Sequence, residues 1–299
     1  MSNTKSIEGM LLKAIGGLYF AETPLGILEC KARGIFRKQN ISPCAGDKVV
    51  ITDISDTKGV VDKILPRKNS IIRPPLANLD YIVFVTSTCE PTPNLTLLDK
   101  FLAIAKYKDI KSIIAVTKLD LQKNAELIDI YKKSDAEFIE VDYDNPDSYM
   151  KLYDMISGKI TAFTGNTGVG KSTLLNHIVK DLDLKTGEIS QKLGRGRHTT
   201  RNVELFKIDN GGYIADTPGF STFETQKYDI ILKDELASCF PEFNEYEGKC
   251  RFLDCAHIKE KGCAVLEAVK SGEIPSSRHN SYVEMYEEAK LIKEWEIKK

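Results

Sequence analysis

Residues 159–173, KITAFTGNTGVGKST, constrain this chain more than any other stretch. Ile160, Ala162 and Phe163 predict a short buried strand that breaks at Gly165. From there the sequence reads Gly165-x-x-x-x-Gly170-Lys171-Ser172, the phosphate-binding loop pattern, with a strand before it and a helix after it. Gly165 and Gly170 let the backbone wrap an anion without Cβ clashes. The amides of Asn166, Thr167, Gly168, Val169, Gly170, Lys171 and Ser172 can then point inward at phosphate. The helix that starts beside Thr173 adds its positive end. Lys171 is placed to reach the β- and γ-phosphates, and the Ser172 hydroxyl to ligate Mg²⁺. Leu174, Leu175 and Ile178 give that helix one apolar face.

A phosphate loop does not select a base, so the nucleotide must be read elsewhere. Thr117-Lys118-Leu119-Asp120 follows the strand-like run 112–116. The Asp120 carboxylate can accept from guanine N1 and N2 together, whereas a carboxylate buried under adenine is left unpaired. Lys118 is expected to pack its stem along the base and ribose. Downstream of the phosphate loop, 213–215 lead into Asp216-Thr217-Pro218-Gly219, a D-x-x-G element. Asp216 is placed to hold the Mg²⁺ shell, and the Gly219 amide to sense the γ-phosphate.

These motifs stand in an abnormal order, because the guanine motif precedes the phosphate loop. A doubly wound sheet whose termini lie close together can be cut and rejoined with its site intact. The order therefore predicts a circularly permuted GTPase domain.

Segments of different character on either side of that domain divide the chain. The run 28–33 alternates strictly, and 48–51 and 59–65 are further short strands separated by glycine breaks. Several short strands in so few residues predict a closed barrel such as an OB-fold over residues 1–72. Lys31, Arg33, Arg37, Lys38 and Lys48 make it locally basic, which suits either RNA contact or a solvated face. Arg73-Pro74-Pro75 is a stiff boundary. Over 73–222, strands alternate with helices, which implies a parallel α/β sheet. Leu98, Phe101, Leu102 and Ala105 place one helix on it. No residue after Val141 is assigned to guanine O6.

Between the phosphate helix and Asp216 lies a basic, glycine-rich stretch, 185–207. It carries Thr199 and Thr200, and Thr200 is favoured as a switch threonine that ligates Mg²⁺ with the γ-phosphate. Phe220 stands directly after D-x-x-G, where many GTPases have a Gln that orients the attacking water. Another group must then orient water. His198 is the internal candidate, since a neutral imidazole can accept from water. Its other reading is an ordinary loop histidine contacting a nucleic-acid phosphate.

Residues 223–299 carry different chemistry. Cys250, Cys255, His257 and Cys263 offer three thiolates and an imidazole within one short segment. Zn²⁺ takes four such ligands tetrahedrally, and a filled shell makes the ion structural. One zinc per chain is expected, in a mostly helical domain with a C-terminal helix from about 281. Cys30, Cys44, Cys89 and Cys239 are expected to be packing residues.

With 299 residues and a net charge of −1, no overall field drives nucleic-acid binding, so such contacts fall to local patches. No apolar run is long enough to span a membrane, and Lys5, Glu8 and Lys13 interrupt the first apolar stretch. The expectation is a cytoplasmic monomer with no membrane contact.

A basic barrel, a permuted GTPase domain and a Cys₃His segment, in that order, resemble the bacterial ribosome small subunit-dependent GTPase A family. The resemblance rests on 117–120, 165–173, His198-Thr199-Thr200, 216–219 and the four Cys/His positions, and it covers nearly the whole chain. It implies hydrolysis of GTP to GDP and phosphate, stimulated by the small ribosomal subunit, in late maturation of that subunit. It also implies rRNA contacts through the barrel and the zinc domain. Two departures stand out. Thr117 replaces the more usual Asn, which predicts loss of a hydrogen bond tying the guanine motif to the phosphate loop. The loop after Val141 is atypical. A different class remains open, a zinc-containing RNA-binding nucleotide switch with negligible turnover. A P-loop ATPase is disfavoured by Asp120.

Overall fold

Alternating apolar residues between Ile7 and Ile64 close on themselves in the computed structural model, which describes residues 6–39, 41–122, 125–179, 203–217 and 230–292. The strands are β1 (Ile7–Ile15), β2 (Leu18–Thr23), β3 (Gly26–Ala32), β4 (Lys48–Ser55) and β5 (Lys58–Ile64), with a short helix α1 (Ile35–Lys38) between β3 and β4. They form a closed barrel in the order β1-β2-β3-β5-β4, with β4 pairing back onto β1. The β3/β5 pair is parallel and the others are antiparallel, as expected of an OB-type barrel. Leu11, Leu28, Cys30, Val49, Ile51 and Val61 fill the interior, and Phe36 of α1 packs on it. The expected alternation of Leu28 and Cys30 is therefore inward.

A short hairpin, β6 (Ser70–Ile71) and β7 (Leu76–Ala77), leads from the barrel to the central sheet. Asp47, fully buried, accepts from the Arg67 guanidinium through both carboxylate oxygens (2.6 and 2.8 Å) and from the Cys44 amide. Asn78 donates to the Gly46 carbonyl at 2.8 Å, so the joint is hydrogen-bonded on both sides.

The central sheet runs β10-β9-β8-β11-β13-β12. Its strands are β8 (Tyr81–Ser87), β9 (Lys111–Thr117), β10 (Glu137–Glu140), β11 (Ile160–Thr164), β12 (Phe206–Lys207) and β13 (Tyr213–Asp216). All neighbours are parallel except β12/β13. Every residue of β8 and β11 is buried, the pattern of strands covered on both faces. On one face Ile82, Phe84 and Ile114 meet Leu98, Phe101, Leu102 and Ala105 of α2 (Leu95–Tyr107), the four residues whose spacing predicts this helix. Leu127 and Tyr131 of α3 (Ala125–Tyr131) pack beside them. On the other face Val83, Val85 and Phe163 meet Leu152 of α4 (Pro146–Met155) and Leu174, Leu175 and Ile178 of α5 (Lys171–Ile178). From β8 the chain winds outward through β9 and β10, whereas after β11 it forms the edge strand β12 and returns as β13 beside β11. The direction reverses between β8 and β11, and ligands of open α/β sheets bind at such a switch point.

Val203, Leu205 and Ile208 are buried, but regular strand pairing covers only Phe206–Lys207. The preceding residues turn to the barrel instead. Leu205 donates its amide to the Leu12 carbonyl, and Lys13 pairs with Glu204 at 2.8 Å.

The remaining unit is built from α6 (Lys233–Leu236), a 3₁₀ turn Pro241–Tyr246, α7 (Ala264–Ser271) and α8 (Ser276–Lys290). Phe240, Phe243, Val265, Ile274 and Tyr282 form its core, which continues into Ala103 and Ile104 of α2. Arg278 lies at that seam, 1% exposed. It donates to Asp99 (2.6 Å) and to both oxygens of Glu242 (2.7 and 3.1 Å), and Tyr131 donates to the same Asp99 oxygen. Removing one partner of such a buried cluster leaves an uncompensated charge, so the cluster fixes how this unit seats on the sheet. Among the described residues, no helix is long and apolar enough to cross a membrane.

Candidate functional site

The phosphate-loop segment leaves β11 at the switch point. Gly165 has φ 153°, and a Cβ there would lie 2.3 Å from the Val85 carbonyl of β8. Only glycine lets the loop start this close to the neighbouring strand. Val169 is buried and anchors the loop in the core. Gly170, at φ 89°, is the N-cap of α5 and supplies no side-chain cap. The first amides of α5 are thus left for an anion. Lys171 at the start of α5 forms an ion pair with Asp216 at the end of β13. Asp216 is 4% exposed. The Thr217 amide and hydroxyl both donate to the Phe163 carbonyl (3.1 and 2.8 Å), which locks the start of the D-x-x-G segment to β11. Ser172 and Asp216 offer the hydroxyl and carboxylate oxygens that suit a small hard dication such as Mg²⁺.

The guanine-motif segment approaches from the other side. Thr117, fully buried at the end of β9, donates to the Val169 carbonyl at 2.5 Å, with Thr86 O a longer acceptor at 3.2 Å. This corrects the expectation that threonine here loses the tie to the phosphate loop. Its hydroxyl is short, but β9 ends close enough for it to reach. Lys118 takes φ 60°, its carbonyl accepts from Thr88 at 2.8 Å, and its ammonium donates to the Glu90 carbonyl. Leu119 is half-buried and Asp120 exposed, so the carboxylate is open to a ligand. Thr117, Lys118, Leu119 and Asp120 thus stand beside residues 165–173, on the C-terminal edge of one sheet. His198, Thr199, Thr200, Gly219 and Phe220 lie outside the described residues.

The Cys/His segment converges as expected. The Sγ atoms of Cys250, Cys255 and Cys263 and a ring nitrogen of His257 all lie within 4.8 Å of one another. The Cys250–Cys263 Sγ separation is 3.8 Å, and His257 Nδ1 lies 3.6 and 3.4 Å from those sulfurs. A tetrahedral shell with zinc–ligand distances of about 2.3 Å to sulfur and about 2.0 Å to nitrogen has edges of about 3.8 and 3.5 Å, so Cys250, His257 and Cys263 already have that spacing and Cys255 stands beside them as the fourth donor. Burial pushes the Cys255 thiol up to about 12, whereas a bound dication reverses that cost by stabilising thiolate. Two residues of α8 support the loop, and its sequence does not signal this. His279 Nε2 meets the His257 carbonyl at 2.7 Å, and Tyr282 donates to the Ala256 carbonyl at 2.9 Å. Cys30, Cys44 and Cys239 are buried as expected of packing residues, whereas Cys89 is only half-buried. Burial pushes the Cys30, Cys44 and Cys239 thiols up to about 11, 12 and 11.

Fold and motif order define a circularly permuted P-loop GTPase behind an OB-type barrel. The family profile described as RsgA GTPase matches residues 64–226, and the RsgA N-terminal domain profile matches residues 8–61. A protein from Alkaliphilus metalliredigens named "Small ribosomal subunit biogenesis GTPase RsgA" is 42% identical over 288 residues, covering 95% of this chain and 98% of that one. A protein of the same name from a Geobacillus species is 43% identical over 289 residues, covering 95% and 97%. Among solved structures, YjeQ from Thermotoga maritima superposes with a TM-score of 0.80 at 32% identity, covering 97% of this chain and all of that one. YloQ, described as a circularly permuted GTPase, gives 0.74 at 33% identity with 97% of each chain covered. This chain belongs to the RsgA GTPase family.

Proposed function

We propose that this chain hydrolyses GTP to GDP and phosphate, is stimulated by the small ribosomal subunit, and acts late in maturation of that subunit. One observation carries the nucleotide reading. The Thr117 hydrogen bond to Val169 joins the segment read as base-binding to the phosphate loop. The names borne by relatives at 42–43% identity support the ribosomal role.

In this reading Asp120 accepts from guanine, and Lys118 packs along the base with Thr117 and Leu119 beside it. The backbone of Gly165, Asn166, Thr167, Gly168, Val169 and Gly170 cradles phosphate with Lys171, Ser172 and Thr173. Mg²⁺, supplied with GTP, polarises the phosphoryl oxygens when bound. Ser172 and Thr200 ligate it, Asp216 holds its shell, and Gly219 senses the γ-phosphate. Zn²⁺ is the metal of the Cys₃His site, one per chain and structural. The domains are 1–72, 73–222 and 223–299. The barrel and the zinc unit contact rRNA. The protein works in the cytoplasm as a monomer.

His198 orients the attacking water, because Phe220 can neither donate nor accept. Phosphate release by the parent and by His198→Ala, at saturating small subunits, tests this role. Turnover should fall at least 100-fold in the variant with GTP affinity and subunit binding unchanged. Persistent turnover, or a fall traced to lost subunit binding, removes His198 from the mechanism.

A further inference from the structure

Tyr143 lies just beyond β10, in the loop that leads to α4. β10 and β11 are separated by two intervening strands, a span of about 14 Å. The Tyr143 side chain nevertheless reaches the phosphate loop. Its hydroxyl donates to the Gly170 carbonyl at 3.1 Å. A Cβ on Gly170 would lie 3.2 Å from that hydroxyl and 3.4 Å from the Thr117 hydroxyl. Two consecutive carbonyls of the phosphate loop, Val169 and Gly170, are therefore held by side chains from the end of β9 and from the loop after β10.

The tyrosine is itself held. Its ring meets His177 of α5 edge-on, with centroids 4.9 Å apart, and Tyr149 of α4 meets the same imidazole at 5.2 Å. Burial pushes the Tyr143 phenol up to about 12, so it remains a neutral donor across the working range. The backbone beneath it is fixed to the sheet, since Val141 donates to the Val116 carbonyl at 2.7 Å, one residue before Thr117. Tyr143 thus ties the 142–145 loop to the phosphate loop, as Thr117 ties the Asp120 segment to it.

We propose that Tyr143 is a positioning residue for guanine selectivity, a strut that sets the base end of the pocket relative to the phosphate end. The proposal rests on the reading of 165–173 and Asp120 as one nucleotide site. Without the hydroxyl, the phosphates still find their loop, but Asp120 meets the base less well aligned. The interaction most sensitive to alignment is the paired acceptance from guanine N1 and N2. Inosine diphosphate lacks the N2 amino group and reports on that pair.

The test uses the full chain and its Tyr143→Phe variant, which keeps the ring contacts and removes one hydrogen bond. Affinities for GDP, inosine diphosphate and ADP are measured by titration, with the thermal midpoint of each protein. The Kd for GDP should rise about fivefold, that for inosine diphosphate less than twofold, and the midpoint should stay within about 2 °C. Equal losses for GDP and inosine diphosphate would assign Tyr143 a purely structural role and overturn the proposal, as would unchanged affinities. A parent protein that binds GDP no better than ADP would instead remove the underlying site reading, before any variant is compared.

Discussion

The Thr117 hydroxyl and the Val169 carbonyl meet at 2.5 Å, although 52 residues separate them in sequence. The contact joins the end of β9 to a loop that follows β11, across the intervening β8. Circular permutation leaves it possible, because it depends on strand neighbours and not on chain order.

Thr117→Val keeps the volume of this buried side chain and leaves the Val169 carbonyl unpaired. The unmet group costs about 1–3 kcal/mol of folding stability, and with the tie gone GDP should bind about fivefold or more weakly. Titration of GDP into folded variant protein checks this. Unchanged affinity would mean that the tie does not shape the nucleotide site.

The barrel joint carries an acid-sensitive contact. Glu22 of β2 accepts from Lys207 of β12 at 2.6 Å and from the Tyr213 hydroxyl of β13. Burial raises its pKa, but the hydrogen bonds from Lys207 and Tyr213 outweigh this and hold it below the usual glutamate value. A group with a depressed folded pKa contributes stability above its unfolded value and loses it as pH falls through the folded one. The contribution should be present at neutral pH and fade as pH falls below the ordinary glutamate value of about 4.3 and through the lower folded one. Because Lys207 is exposed to solvent screening, it should amount to about 1 kcal/mol or less. In denaturant titrations Glu22→Gln should lower stability at pH 7 and do so less as the pH falls to 3. An equal difference at both values would locate the effect elsewhere.

Much of this arrangement is legible in the sequence, for identifiable reasons. The glycine spacing of 165–170 and the apolar spacing of Leu98, Phe101, Leu102 and Ala105 express local geometry, so the strand, loop and helices follow from neighbouring residues. Cys250, Cys255, His257 and Cys263 are close in sequence and carry ligand chemistry. Arg278, Asp99 and Glu242 are different. Each is a charged residue that reads as solvated surface, and only tertiary contact buries the three together. The same contact explains why α8 begins at Ser276, before the apolar run that predicts a start near 281. Its first turns hold buried Arg278 and His279, whose partners lie on other elements. Tyr143 is hidden for a similar reason, because its partner Gly170 belongs to a motif read for its backbone alone.

Metal content gives another direct check. Protein purified without chelator should contain one zinc per chain. Cys255→Ser, or a strong chelator, should raise hydrogen exchange across 240–265 and at the α8 contacts of His279 and Tyr282, while β8, β9 and β11 keep their protection. Zinc-free protein with the same exchange pattern would make the Cys₃His group a packing cluster.

Phosphate release from GTP and from ATP, each with and without purified small ribosomal subunits, tests the whole account. GTP alone should turn over slowly, and small subunits should accelerate it at least tenfold. ATP should give background release in both cases, because Asp120 cannot pair with adenine. Equal rates for the two nucleotides, or a GTP rate indifferent to the subunit, would contradict the assignment of this chain as a subunit-stimulated GTPase.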